Sequence, residues 1–506
     1  MQSLVSLLPL AIFLIIAVVL SIWARRSSNA QGGDFASKYY IGNRTLGGFV
    51  LAMTTVATYG SVSSFVGGPG QAWSIGFGWV YMAGIQVTCL FLLYGILGKK
   101  MMLISHKMGA VTVIDVLRER YKSNALAVAS AVIIVVFFAA TMVAQFVGGA
   151  KLFESVTGFS YEMGLVLFGI TVIVFTTIGG FKGVAITDAL CGIVMILGLV
   201  VLAGGLISAG GGIEQMMDTI RTNHPQMMEP LSGGSMPYGL YFTQWLIVGV
   251  FTFCLPQSVV RCVGARDVRS MKSAMIIGTV VIGFMMIVGT SMGVLAAGVL
   301  TDPLESYGTV DSIIPTAIAT TLPPILAGVA IIGPIAASIS TVSSLLIAAS
   351  SSIVKDLWMH RVEQRGGKAK ERHIVSASQA VTFGVGIVVF VLALVPPDVI
   401  WKINMFAFGG LETAFCWVFV MGLFWRRATK EGAIASMVGG TLAYCACMAA
   451  GIKLFGLHQI TIGIAVSLLL MVVVSLATKP AKKDELALFF PAGLGRIGCS
   501  LPCVLR

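Results

Sequence analysis

The sequence predicts an all-α membrane protein of about 13 transmembrane helices built around a five-plus-five inverted repeat. Three observations lead there. Of its 506 residues 57% are hydrophobic and only 11% charged, a balance foreign to soluble domains. Apolar runs long enough to span a bilayer, about 20 residues each, recur from end to end. Two of these runs, five spans apart, carry helix-breaking residues within them, and helices five apart cross a membrane in opposite directions.

The runs lie at roughly 3–23, 47–71, 73–97, 125–147, 161–179, 184–208, 239–261, 274–298, 324–352, 374–395, 401–425, 431–451 and 459–478. The first stays as a helix, because no basic stretch precedes it and Arg25-Arg26 follow it as a stop. A net charge of +12 raises the question of a nucleic-acid partner. The basic residues follow the membrane instead. With the N-terminus outside, 29 of the 33 Lys and Arg fall on the cytoplasmic side, Arg261 among them, and only Lys151, Arg221, Lys402 and Lys453 fall outside. This bias predicts an outside N-terminus, a cytoplasmic C-terminus and no role for nucleic acid. The nine cysteines sit mostly within apolar runs without metal-ligand spacing, so they read as small apolar residues.

In the second run, LAMTTVATYGSVSSFVGGPGQAW (51–73), Gly60, Gly67, Gly68 and Pro69 interrupt a Thr- and Ser-rich span. Such residues free backbone groups that lipid tolerates only beside protein or a wet cavity, so a break is predicted at 57–61. The seventh run, YFTQWLIVGVFTFCLPQSVVR (241–261), embeds Pro256 and Gln257 in the same way. The pairing places the core repeats at about 47–208 and 239–425 of a single transporter domain, 1–480. The tail, 481–506, has no periodicity and is unassigned.

The ninth run ends in GPIAASISTVSSLLIAASSSIVKD (333–356), unusually dense in hydroxyls. At helical spacing Ala337, Ser340, Thr341, Ser344, Ala348 and Ser351 share one face. Small residues let membrane helices pack closely, which is one reading. The other is a site for a small hard cation, held by hydroxyls together with carbonyls freed on the first broken helix.

Two carboxylates stand out. Asp188, in TTIGGFKGVAITDALCGIVM (176–195), follows a turn expected at Gly179 and Gly180. It either caps the sixth helix, as Thr187 also could, or marks the mouth of an ion path. Glu412, in FGGLETAF (408–415), is the acidic residue placed inside a span away from its ends. An intramembrane carboxylate is a functional candidate by default; alternatively Gly409 and Gly410 break the helix and leave Glu412 near water.

TIGGFKGVAITD and ASISTVSSLLIAASSSIVKD, at this separation, resemble the two strongest signatures of the sodium:solute symporter family, and the resemblance covers almost the whole chain. It implies a leucine-transporter-like fold in a bacterial inner membrane, with sodium as the coupling ion and no cofactor. It also implies sodium ligands: the carbonyls of Ala57, Gly60 and Ala337 and the hydroxyls of Ser340 and Thr341. Asp188 matches the family's acidic residue on the fifth core helix. Ser63-Ser64 stand where sugar carriers have Glu-Gln, and Tyr59 where proline carriers have Asp. Cys191 replaces a Gln common after the Thr-Asp pair.

Within the family the chain is most similar to members that carry pantothenate, a hydroxylated amide with a carboxylate. The resemblance therefore implies sodium-coupled import of that small molecule by alternating access. Hydroxyls and freed helix-end amides suit such a solute, which singles out Ser61, Ser63 and Ser64 with Thr252 and Gln257 on the second broken helix. A symporter of proline or a monocarboxylate is the alternative. A membrane sensor, normally built with an appended signalling domain, comes third. The chain carries no HExxH motif, and is read as no enzyme.

Overall fold

The computed structural model describes residues 2–29, 40–234, 236–367, 370–396 and 398–490. Ten of its helices are long and apolar enough to cross a membrane, an eleventh span is a bent pair, and two shorter apolar helices complete the pattern. In order they are α1 (Gln2–Asn29), the bent α2 (Gly48–Tyr59 and Ser63–Ile75), α3 (Phe77–Met108), α4 (Asn124–Ser155) and α5 (Tyr161–Thr177). Then come α6 (Gly183–Ala209), α7 (Tyr238–Gly264), α8 (Val268–Ala297), α9 (Pro324–Gln364) and α10 (Glu371–Ala393). The last three are α11 (Ile400–Phe424), α12 (Lys430–Ala449) and α13 (Ile460–Ala477). Each apolar run of the sequence has its helix.

Both interrupted helices break where the sequence frees the backbone. α2 bends by 64°. Gly60 closes its first half by bonding to the Val56 carbonyl at 2.7 Å, then turns extended at ψ 110°. A Cβ at Gly60 would come within 2.8 Å of the flexible Met195 methyl and 3.1 Å of the Val56 oxygen, so the bend leaves little room for a side chain there. α7 loosens into a π turn over Leu246–Val250, tightens into a 3₁₀ turn over Phe251–Cys254, passes through extended Leu255 and restarts at Pro256. Proline suits that first helical position because its missing N–H would be unpaired there anyway.

α2 and α7 run in opposite directions. Leu46, just before α2, pairs with Ala265, just after α7, whereas the Tyr59 hydroxyl donates to the Val248 carbonyl at 2.8 Å.

The neighbours of α5 and α6 require the chain to reverse between them. Against α4, Gly164 meets Ala150 and Gly169 meets Phe146, so α5 is antiparallel to α4. α4 is antiparallel to α9, since Asn124 bonds His360 while the Gln145 carbonyl accepts from Ser338. α6 is antiparallel to α9 as well, with Gly198 against Ala330 and Asp188 against Ser340. α6 is thus parallel to α4, and the reversal falls between Thr177 and Gly183, around the glycine pair.

Packing ranks the helices. The apolar window of α9 is 83% buried against 28% for α10 and 33% for α13, so the hydroxyl-rich helix is central and the other two are peripheral. Three details differ from the sequence reading. α11 runs unbroken through Gly409 and Gly410, because those glycines let Tyr444 and Phe137 approach its backbone; Glu412 is therefore fully buried rather than near water. Arg261, assigned by charge to a cytoplasmic connection, is buried in α7. Part of the unassigned tail docks: Phe489 is buried, and Phe490 lies under Lys100 (4.4 Å) and Arg426 (5.5 Å). Tail residues 491–506 lie outside the described residues.

Candidate functional site

The site grows out of the bend in α2. A helix end leaves its last carbonyls without helical partners, and here those carbonyls face the hydroxyl stripe of α9. Thr341 Oγ1 stands 3.3 Å from the Thr58 carbonyl oxygen and 3.5 Å from that of Gly60. The cluster is thus one hydroxyl and two carbonyl oxygens, the neutral oxygen donors a small hard cation takes. Ala57 and Ala337 are fully buried on these two helices. α9 stays helical through Ala337, so its carbonyl would offer an ion its second lone pair.

Beside this cluster lies a charged network. Asp188 accepts from Ser340 at 2.5 Å and Thr54 at 2.7 Å, with Ser344 at 3.4 Å. Arg261 Nη2 is 3.6 Å from the same carboxylate and donates to Ser344 Oγ at 2.8 Å and to Thr58 Oγ1. Four helices, α2, α6, α7 and α9, thus meet through one ion pair and four hydroxyls. Asp188 is no helix cap. The Thr187 hydroxyl bonds back to the Gly183 carbonyl at 2.9 Å, which places both residues inside a helical turn.

On the other side of the bend is a cavity lined by Ser61, Ser63 and Ser64 together with Trp79, Trp401 and Asn404. None of its described lining residues is charged. Trp79 and Trp401 meet edge to face at 4.9 Å and form part of its wall. The freed Val62 N–H donates to Gln145 Oε1 at 2.9 Å, so a side chain of α4 holds the bend.

The structure does not bring Thr252 or Gln257 to this cavity. The 3₁₀ turn before Pro256 directs the Thr252 hydroxyl back to the Val248 carbonyl at 3.3 Å, and the Gln257 carbonyl accepts from Arg261 at 2.8 Å. Glu412 is also off the cavity, buried with neither carboxylate oxygen hydrogen-bonded among the described residues. Sequence reasoning missed Arg261, Gln145 and Asn404. For Arg261 a signal existed: it is one turn beyond Gln257 on the restarted helix, in a run apolar enough to be buried.

These elements, two broken helices crossing a hydroxyl-rich central helix, define the class, and the chain belongs to the sodium:solute symporter family, whose model matches residues 39–440. The sodium/pantothenate symporter of Haemophilus influenzae is 39% identical over 455 residues, 90% of this chain and 92% of that one. The sodium/pantothenate symporter of Escherichia coli is 36% identical over 469 residues, 92% of this chain and 95% of that one. The osmoregulated proline transporter OpuE of Bacillus subtilis is 25% identical over 462 residues, 89% of this chain and 91% of that one. Among solved structures, a substrate-bound, outward-open Na+-coupled sialic acid symporter superposes with a TM-score of 0.80 at 17% identity, over 96% of this chain and all of that one. Mhp1, a nucleobase-cation-symport-1 family transporter, gives 0.54 at 13% identity, over 89% of this chain and 97% of that one. The chain is thus a multi-pass membrane protein with the fold of sodium-coupled symporters.

Proposed function

We propose that this protein imports pantothenate together with sodium by alternating access. The observation that carries the reading is the adjacency of two sites across one bend: Gly60 offers its carbonyl toward Thr341, and the next residue, Ser61, lines the cavity. Sodium bound by Ala57, Gly60, Ala337, Ser340 and Thr341 fixes α2 in its bent form and so completes the solute cavity. By linkage, bound solute tightens sodium by the same factor, typically about 1–3 kcal/mol. Identity of 39% to a sodium/pantothenate symporter over most of both chains supports the solute, as does a cavity rich in hydroxyls.

In this reading the core repeats span about 47–208 and 239–425, the N-terminus is outside a bacterial inner membrane, and the C-terminus is cytoplasmic. Ser61, Ser63 and Ser64 contact the solute; Thr252 and Gln257 shape α7 behind it. Asp188 orients Ser340 for sodium, and Glu412 acts on the movement of α11 rather than on binding. Competition against labelled pantothenate uptake tests the solute. Unlabelled pantothenate should abolish the signal while proline and simple monocarboxylates leave it unchanged. Inhibition by proline at equal concentration would move the assignment to a proline carrier.

A further inference from the structure

Buried polar atoms without partners cost stability, and each one in a folded protein calls for a reason. Among the described residues that line the cavity, two carry such atoms: Ser63 Oγ on α2 and Asn404 Oδ1 on α11. Their residues are 6% and 2% exposed, so bulk water does not substitute for a partner. Glu412 and Gln244 are also buried and unpartnered, but neither lines this cavity. The two residues sit on different helices, α2 and α11, and line the same cavity.

Their chemistry restricts that ligand. A carbonyl oxygen only accepts, while a hydroxyl both donates and accepts. The partner of Asn404 Oδ1 must therefore be a donor. A carboxylate is not one; a hydroxyl or an amide N–H is. Asn404 follows Trp401 by one turn on the helix whose first residue is anchored by the Ile400 N–H to Asp311, 3.0 Å apart. The position is held from outside the cavity, as a recognition group needs to be.

We propose that Asn404 is a specificity-determining residue that accepts a hydrogen bond from a hydroxyl or amide N–H of the solute, with Ser63 as its partner across the cavity. The inference rests on the pantothenate reading and adds to it which part of the solute is read here. The donor-bearing hydroxyamide portion of the solute faces Asn404 Oδ1.

The test is a protein-ligand cycle in proteoliposomes. Inhibition constants are measured for pantothenate and for three analogues, each lacking one donor: the primary hydroxyl, the secondary hydroxyl, or the amide N–H through N-methylation. The wild type should reject at least one analogue by about 10- to 100-fold. Asn404→Leu, close in volume, should bind pantothenate more weakly by a similar factor and treat that analogue and the parent alike. Ser63→Ala should preserve the rejection of that same analogue. If Asn404→Leu does not assemble, Asn404→Ala carries the same comparison. A variant that binds pantothenate more weakly but keeps the full rejection would overturn the assignment and leave pantothenate transport standing. A wild type that binds neither pantothenate nor any analogue would overturn both.

Discussion

Arg261 and Asp188 face each other in the buried centre of the bundle, Nη2 to Oδ2 at 3.6 Å with each side chain 2% exposed. The pair joins the second half of α7 to α6, and its hydroxyl neighbours extend it to α2 and α9. Removing one partner of such a pair leaves an uncompensated buried charge, typically destabilising by about 3–5 kcal/mol. Arg261→Gln and Asp188→Asn should therefore each lower thermal stability and transport. The double substitution, neutral again, should recover much of the stability. Equal loss in the double and the singles, measured by unfolding in detergent, would rule out this charge balance.

The bend of α2 depends on Gln145, whose side-chain oxygen takes the Val62 N–H. Gln145→Leu leaves that buried donor unpaired, at a cost of about 1–3 kcal/mol. Apparent sodium affinity should fall with it, by about tenfold for each 1.4 kcal/mol that falls on the bent form. A sodium titration of uptake identical to wild type would show that the bend holds itself.

No charged side chain appears among the described residues of the cavity, and in the proposed reading a sodium ion beside it would offset the charge of an anionic solute. Pantothenate affinity should rise with sodium concentration more steeply than affinity for its neutral alcohol analogue, which gains from the bend of α2 but not from the charge. Parallel sodium dependence for the two compounds would contradict this division of charge. One sodium moving with one anion also carries no net charge. Uptake would then follow the sodium gradient at about 1.4 kcal/mol per tenfold ratio, without the about 2.3 kcal/mol per 100 mV that a second sodium would add.

Glu412 lies one turn beyond Phe408 of the cavity wall, with both oxygens lacking a hydrogen-bond partner among the described residues. Glu412→Gln should leave apparent sodium affinity in place and change the maximal rate. A collapse of sodium affinity in that variant would place Glu412 on the ion path.

What could be read from the sequence, and what could not, divides along a physical line. Local features were legible. Gly60 and Pro256 interrupt spans that also carry unusual polar residues, and Ser340, Thr341 and Ser344 share a face by helical geometry alone. Contacts between distant helices were not. A basic residue at a span end looks solvated by its position, and only the approach of α6 makes Arg261 an internal cation. Gln145 and Asn404 are single amides in apolar helices with no neighbouring signal; what gives them meaning is the bend of α2 opposite one and the cavity beside the other. Glycine pairs were ambiguous for the same reason: Gly179-Gly180 lie where the chain reverses, while Gly409-Gly410 only admit neighbouring rings.

The most direct test is uptake of labelled pantothenate into proteoliposomes with and without an inward sodium gradient, for the wild type, Ser340→Ala and Thr341→Ala. Concentrative, sodium-driven uptake whose apparent sodium affinity collapses in both variants is the predicted result. Uptake that is indifferent to sodium, or unaltered in both variants, would contradict it and return the hydroxyl face of α9 to helix packing.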